Sequence, residues 1–184
     1  MARRIVKCAL LLWAVSLSSQ AQPRWRSYTA TDKSFTVDVP WKPGYTRRSV
    51  NGQVGGVLNE GPIPGVTAID VYNLSMYTDE ENTSFMIYVY QTADRDTEKA
   101  FDEAKNNAKK GKPSSKPTLT SETAVQVNGL SGREFIYHKE KVVSRALLVF
   151  ADHRIYAVEF YTEDKKGLDR GPVNRVFNSF QPKP

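Results

Sequence analysis

The sequence predicts a single α+β domain in which helices flank an antiparallel β-sheet, giving an α/β/α sandwich. Between Asn128 and Tyr161, three strand-like runs follow one another across short polar pairs, which is typical of an antiparallel meander. Two amphipathic helical segments lie outside this meander. The run Val142–Phe150 is apolar on both faces, and such a strand usually lies inside a sheet that is covered on both sides.

The predicted meander consists of the strands Arg133–Lys139, Val142–Phe150 and Ile155–Tyr161, which are rich in β-branched and aromatic residues. Its turns fall on the polar pairs Glu140-Lys141 and Asp152-His153, since Asp tolerates the left-handed backbone conformation better than most residues.

Side chains within the meander predict contacts between its strands. If residue 136 pairs with residue 145, Glu134 lies diagonal to Arg145 on the same face of the sheet. A structural ion pair is a better interpretation of these two residues than a substrate anchor. Ala146 and Ala157 are small enough to let a covering helix approach the sheet closely.

The first 21 residues have the pattern of a secretory signal peptide. Three basic residues precede the apolar run Cys8–Leu17, and small residues lead to a cleavage site between Ala21 and Gln22. About ten apolar residues fall short of the roughly 20 that span a bilayer. We therefore expect export to the periplasm or the outside of the cell, with a mature domain of residues 22–184 that does not span the membrane.

Loss of the signal segment changes what the composition implies. The chain has 26 Lys and Arg against 20 Asp and Glu, and the mature part keeps 23 of the basic residues and all of the acidic ones. This small excess argues against a nucleic-acid-binding protein. Cys8 is the only cysteine, so the mature domain has no disulfide, thiol nucleophile or cysteine-based zinc site.

Further strands are predicted from alternating polarity and from turn residues between them. Asn51-Gly52 is the strongest of these turn signals, because both central residues of a tight hairpin need a positive φ. The strands are Trp25–Tyr28, Phe35–Val39, Arg47–Val50, Gln53–Leu58, Val66–Tyr77, Ser84–Gln91 and Leu119–Val127.

The two predicted helices are Asp94–Lys110 and Leu168–Phe180. In the first, small and apolar residues recur at spacings of three and four, while acidic residues at its start and lysines at its end complement the helix dipole. Gly111 and Pro113 end this helix, and we expect its lysines to be solvated. The second has apolar residues at i, i+3, i+4 and i+7, and Pro182 prevents its continuation.

The residues do not single out a catalytic, metal or cofactor site. His138 and His153 are the only histidines, and they lie near opposite ends of Val142–Phe150. At about 3.3 Å per residue they are roughly 25–30 Å apart, too far to share a metal ion. No Gly-x-Ser-x-Gly elbow is present, and no pair stands out among the acidic residues. We therefore expect no catalytic residues, no metal and no cofactor.

Strand tyrosines offer an alternative, a stacking platform for sugars or bases. Such residues more often pack within a sheet, and we favour that interpretation. The tyrosines concerned are Tyr72, Tyr77, Tyr88 and Tyr90.

Four short motifs carry a resemblance to a known family: Phe35–Pro40, Gly129–Phe135, Arg154–Tyr156 and Val176–Phe180. The second has the form Gly-x-x-Gly-Arg-Glu-Phe, with Gly129, Gly132, Arg133, Glu134 and Phe135 at its defining positions. In these motifs the chain resembles the PsbP-like superfamily and its secreted bacterial members of unknown function. Its fold is also similar to that of the Mog-type Ran-binding factors. The resemblance implies an antiparallel sheet flanked by helices and no catalytic residues, because members known by function are mostly non-catalytic partners of larger assemblies.

The expected function is that of an exported, non-enzymatic binding or assembly accessory protein with an unknown protein partner and no nucleic acid. The alternative is an extracytoplasmic hydrolase or small-ligand-binding protein that uses carboxylates and tyrosines in a sheet-edge groove. A deep pocket with convergent acidic residues favours the alternative, and a flat surface favours the accessory role.

Overall fold

The computed structural model describes residues 24–49, 65–78, 81–109, 117–163 and 165–183 of the 184-residue chain. The strands are β1 (Arg26–Thr29), β2 (Phe35–Val39), β3 (Gly44–Ser49), β4 (Val66–Thr78), β5 (Glu81–Thr92), β6 (Thr118–Val127), β7 (Leu130–Lys139), β8 (Val142–Ala151), β9 (Arg154–Thr162) and β10 (Gln181–Pro182). The helices are α1 (Thr97–Lys109) and α2 (Gly171–Ser179), with a short 3₁₀ helix at Lys165–Asp169. The predicted signal segment with its cleavage site at Ala21 and Gln22, the Asn51-Gly52 hairpin and the strand Gln53–Leu58 lie outside the described residues.

Seven strands form one antiparallel sheet in the order β3-β4-β5-β9-β8-β7-β6. The predicted meander β7-β8-β9 is confirmed, and Ile136 lies opposite Arg145 as expected. In its turns Glu140 and His153 adopt φ values of 55° and 57°. The left-handed residue of the second turn is therefore His153 and not Asp152.

An additional hairpin, which the sequence analysis did not assign, joins β6 to β7. Asn128 and Gly129 have φ values of 52° and 80°, as a two-residue Asn-Gly turn requires, and Val127 lies opposite Leu130. Because this turn is so tight, β7 begins at Leu130, three residues earlier than predicted.

A second sheet, also not predicted, contains three strands in the order β1-β2-β10. The strands β1 and β2 lie close to their predicted positions. They are not part of the large sheet, and β2 pairs with β1 on one side and with the two residues of β10 on the other. Alternating polarity indicates that a segment is a strand, whereas it does not say which sheet the strand joins.

The large sheet is covered on both faces, as the apolar pattern of β8 predicted. Val143 and Val149 face one core, which contains α2 and the small sheet. Leu148 and Ala146 face the other core, where they pack with Phe101 of α1. The α+β sandwich is thereby confirmed, with the correction that one of its outer layers combines a helix with a small sheet.

Helix α1 starts three residues later than predicted. The Asp96 carboxylate accepts a hydrogen bond from the backbone N–H of Lys99 at 3.1 Å, which caps the first turn. The preceding acidic residue Asp94 therefore lies outside the helix. Within the described ranges, neither α1 nor α2 has the length and apolar character that a membrane span requires.

Candidate functional site

The motif Gly129–Phe135 forms the turn before β7 and the first half of that strand. A Cβ atom on Gly132 would lie 2.7 Å from the carbonyl oxygen of Leu148, so a side chain here would collide with β8. Phe135 is fully buried, and its ring centroid lies 5.9 Å from that of Phe101 in α1. These residues therefore serve close packing between β7, β8 and α1.

Arg133 of this motif links β7 to α1 through hydrogen bonds. Its guanidinium donates hydrogen bonds to both oxygens of Asp102, at 2.7 and 2.9 Å, and to Glu98 at 2.8 and 3.2 Å. A further bond of 3.3 Å reaches Glu122 on β6. The hydrogen bonds to Asp102 and Glu98 outweigh the cost of burial and raise the pKa of Arg133 above its usual value.

Lys105 completes this group of charges, which we call the Arg133 cluster: Glu98, Asp102, Lys105, Glu122 and Arg133. Lys105 is buried and pairs with Glu122. The expectation that all lysines of this helix are solvated is therefore wrong for Lys105. Its stem lies against Phe135, where the ammonium is 5.4 Å from the ring centroid, and this position brings the charge to the β6 carboxylate.

The predicted ion pair between Glu134 and Arg145 is present. Two parallel hydrogen bonds of 3.1 and 3.0 Å join the guanidinium to the carboxylate. Arg145 also donates to the side chain of Asn174 in α2 at 2.7 Å and lies 4.4 Å from the centroid of the Phe177 ring. The pair thus holds α2 on the sheet, in agreement with a structural role.

A different arrangement occurs at the β3 edge of the large sheet, around the buried carboxylate of Asp70, which is 3% exposed. Oδ1 of Asp70 accepts a hydrogen bond from the Tyr45 hydroxyl at 2.8 Å, and Oδ2 accepts one from the Gln91 amide at 3.4 Å. Nε of Arg47 lies 3.7 Å from Oδ1. We call Tyr45, Arg47, Asp70, Gln91 and the adjacent Arg154 the Tyr45 site.

Tyr45 is 45% exposed, yet it is held at both ends. Its hydroxyl is bound to Asp70, and its ring centroid lies 5.0 Å from that of Tyr72, which is buried against Phe35. The hydrogen bond to Asp70 and partial burial raise the pKa of Tyr45 above its usual value. The result is an outward-facing aromatic side chain with a fixed orientation.

Arg154 lies at the same end of the sheet, opposite Gln91 in the register of β5 and β9. One guanidinium nitrogen is 4.0 Å from Asp32 in the turn between β1 and β2, and another donates to the Tyr156 hydroxyl at 3.5 Å. The hydrogen bond to Tyr156 raises the pKa of Arg154. Arg154 therefore brings a guanidinium to the place where the two sheets meet.

The geometry of the Tyr45 site suits binding better than bond cleavage. Both oxygens of Asp70 already accept hydrogen bonds, which leaves this carboxylate poorly placed to remove a proton from a substrate. Within the described ranges no group of three or more His, Cys, Asp or Glu side chains converges on a point that could hold a metal ion. The absence of catalytic, metal and cofactor residues stays a prediction.

The two histidines occupy the positions that the sequence predicted. His138 lies opposite Val143 near one end of β8. His153 lies in the turn beyond the other end, where its Nδ1 is 3.2 Å from the carbonyl oxygen of Thr92. Neither histidine belongs to the Tyr45 site.

Sequence reasoning did not find Tyr45 or Asp70. It considered other tyrosines as a stacking platform, and two of these, Tyr72 and Tyr90, are buried in the sheet, which agrees with the favoured interpretation. Tyr88 is half-buried, and the side chain of Tyr77 lies outside the described part. A signal was available in Asp70, which is the only charged residue of β4.

The arrangement of these elements defines an α+β sandwich, and similar solved structures exist. The solution structure of cyanobacterial PsbP from Synechocystis sp. PCC 6803 has a TM-score of 0.45 and 16% sequence identity, covering 86% of this chain and 92% of that chain. A protein of unknown function from Pseudomonas aeruginosa has a TM-score of 0.37 and 12% identity, covering 78% of this chain and 85% of that chain. The chain is similar in fold to both of these proteins, and each similarity concerns the fold alone.

No protein-family profile matches the chain, and a search of curated proteins finds no match.

Proposed function

We propose that this chain is an exported, non-enzymatic accessory protein that binds a partner protein through the Tyr45 site. The observation that carries the proposal is the fixed orientation of the half-exposed Tyr45 ring. A side chain that is already ordered loses little conformational entropy when a partner binds. Tyrosine and arginine are also the residue types that most often dominate the energy of protein interfaces.

Arg47 adds to this surface. Arg47 lies in the second half of β3, and 59% of its side chain is exposed. The guanidiniums of the two structural ion pairs, Arg133 and Arg145, lie instead between elements of the fold. This contrast supports a role for Arg47 outside the domain, since Arg47 is itself exposed and Asp70 already accepts hydrogen bonds from Tyr45 and Gln91.

Two parts of the proposal, export and a non-enzymatic role, are supported by the sequence. The positive and apolar segments of residues 1–21 support export, and the lack of a hydrolase elbow supports a non-enzymatic role. Nucleic acid is not part of the proposal, because the mature domain has only a small excess of basic residues.

Site-specific photo-crosslinking in the native cell envelope tests this proposal. A photoreactive residue replaces Tyr45 in one variant and Leu119 in a matched control, since Leu119 is also exposed, at 38%, but lies on β6 at the opposite edge of the sheet. We expect one dominant protein crosslinked to position 45 and absent from position 119. The same set of proteins at both positions, or none at position 45, contradicts the proposal.

The alternative function is binding or hydrolysis of a small molecule at the same edge. It is supported by two acid–tyrosine groups at this edge: Asp32 and Tyr156 lie next to Arg154, and Asp70 is bound to Tyr45. A screen of glycans and small metabolites by thermal stabilisation tests it. A compound that stabilises the purified domain but not its Asp70→Asn variant favours this alternative, as does a turnover that Asp70→Asn abolishes.

A further inference from the structure

The basic residues of the mature domain are distributed unevenly. Residues 24–49 contain six basic side chains and two acidic ones, whereas the rest of the mature domain contains 17 basic and 18 acidic side chains. The positive excess of the whole domain therefore resides in the segment that forms β1, β2 and β3.

The basic side chains of this segment whose burial the structure describes are exposed, while its two acidic side chains contact arginines. Asp38 accepts hydrogen bonds from Arg175 at 3.0 and 3.2 Å, and Asp32 lies near Arg154. Within the described part of the chain no ion pair neutralises the following exposed residues: Arg24, Arg26, Lys33 and Lys42. The surface therefore keeps an unbalanced positive charge.

Several of these charges lie on segments next to the Tyr45 site. Tyr28 of β1 lies 6.2 Å from Tyr72, between the ring centroids, and Tyr72 is also the residue on which Tyr45 packs. This contact places β1, an edge strand of the small sheet, against the residue that supports the Tyr45 ring, and Lys42 precedes Tyr45 by three positions. Arg26 lies opposite Val39 at one end of β1, and Lys33 follows the other end.

We propose that the partner segment bound at the Tyr45 site is an acidic stretch of polypeptide, rich in Asp and Glu. This inference rests on the proposed function and adds the chemistry of the partner. An unbalanced basic surface attracts an acidic segment over a distance of about a Debye length, and Tyr45 and Arg47 then provide close contacts. A polypeptide fits better than a nucleic acid, because one face of the Tyr45 ring already packs on Tyr72, so that only its other face is open to a stacked base.

Fluorescence anisotropy of a labelled oligoglutamate peptide with the mature domain tests this inference. The variant Arg26→Gln/Lys33→Gln/Lys42→Gln removes three charges near the site. The control Lys139→Gln/Lys141→Gln/Lys165→Gln removes three exposed charges elsewhere. We expect the first variant to weaken binding about tenfold and the control about twofold or less, with weaker binding at higher salt. All of the substituted side chains are exposed, and thermal unfolding verifies that both variants remain folded.

Three outcomes overturn the inference: no binding of oligoglutamate, equal losses in the two variants, or equally tight binding of an oligothymidylate of the same charge. The last outcome would indicate a general preference for polyanions. If position 45 crosslinks a dominant partner while oligoglutamate does not bind, the acidic preference fails and the accessory function stands. If the peptide binds as expected while position 45 crosslinks nothing, the accessory function fails and the acidic preference stands.

Discussion

The Arg133 cluster and the Tyr45 site both join arginines to carboxylates near opposite edges of the large sheet, but they differ in which partner is buried. In the Arg133 cluster the guanidinium is largely enclosed, at 17% exposed, and its carboxylates come from α1 and β6. In the Tyr45 site the carboxylate of Asp70 is enclosed, and its donors face solvent. An enclosed arginine ties elements together, whereas an enclosed carboxylate orients the surface side chains above it.

The largest expected effect is the loss of Arg133. Arg133→Ala leaves Glu98, Asp102 and Glu122 without their common cation, and we expect it to lower the free energy of unfolding by about 3 kcal/mol. Arg47→Ala is the matched control at the other edge, where we expect a loss of less than about 1 kcal/mol, because Arg47 is exposed and the buried Asp70 keeps its hydrogen bonds from Tyr45 and Gln91. Denaturant unfolding measures both, and equal losses would mean that the two clusters do not differ as described.

A second prediction concerns the close contact between β7 and β8. Gly132→Ala places a Cβ atom 2.7 Å from the Leu148 carbonyl oxygen, and backbone atoms must shift to admit it. We expect a loss of about 2 kcal/mol in the free energy of unfolding. Gly171→Ala is the control, because an added Cβ there meets no atom within 4 Å. A loss no larger than that of the control would contradict the tight packing of this motif.

The stability of the protein at alkaline pH should depend more on the buried Tyr90 than on the exposed Tyr45. Burial, assisted by nearby Glu159, raises the pKa of Tyr90 well above its ordinary value. The unfolded chain loses this proton near pH 10 while the folded protein retains it, so the stability is fully present below about pH 10 and falls as the pH rises further.

We therefore expect Tyr90→Phe to flatten the fall of the melting temperature above about pH 10 more than Tyr45→Phe does. Tyr45 is exposed, and its raised pKa comes first from the hydrogen bond to Asp70. Thermal melts across the alkaline range measure the two slopes. If Tyr45→Phe flattens the fall of the melting temperature more than Tyr90→Phe does, Tyr90 is not the tyrosine whose burial makes stability depend on alkaline pH.

The smallest expected effect on stability belongs to Tyr45 itself. Tyr45→Ala removes a half-exposed ring and opens Asp70 to water, which takes the place of the lost hydroxyl, and we expect the free energy of unfolding to change by less than about 1 kcal/mol. With a photoreactive residue at position 47, the same substitution should nevertheless remove most of the crosslinked partner. An unchanged crosslink yield would show that Tyr45 does not contribute to binding.

The meander could be predicted from the sequence because short turns determine its register. The pairing of residue 136 with residue 145 was an assumption that a two-residue turn at Glu140-Lys141 satisfies, and the ion pair between Glu134 and Arg145 followed from that pairing. The small sheet could not be predicted, because the two residues of β10 are too few to show alternating polarity.

The Tyr45 site was missed for a related reason. Tyr45 and Asp70 are 25 positions apart, and only the register of β3 on β4 brings them together. No tight turn identified in the sequence sets that register. Similarly, the charge pattern of α1 predicted solvated lysines, but the spacing alone could not show that β6 offers Lys105 a carboxylate.

The pairing of β2 with β10 has a consequence for the order in which the chain can fold. The backbone N–H of Asp38 donates to the Ser179 hydroxyl across 141 positions, and Phe35 lies opposite Pro182. Because a ribosome releases the chain from its N-terminus, β1 and β2 emerge before every strand of the large sheet, and their third strand emerges after all of them. The small sheet therefore closes last, and a nascent chain interrupted before residue 181 lacks one of the three strands of that sheet.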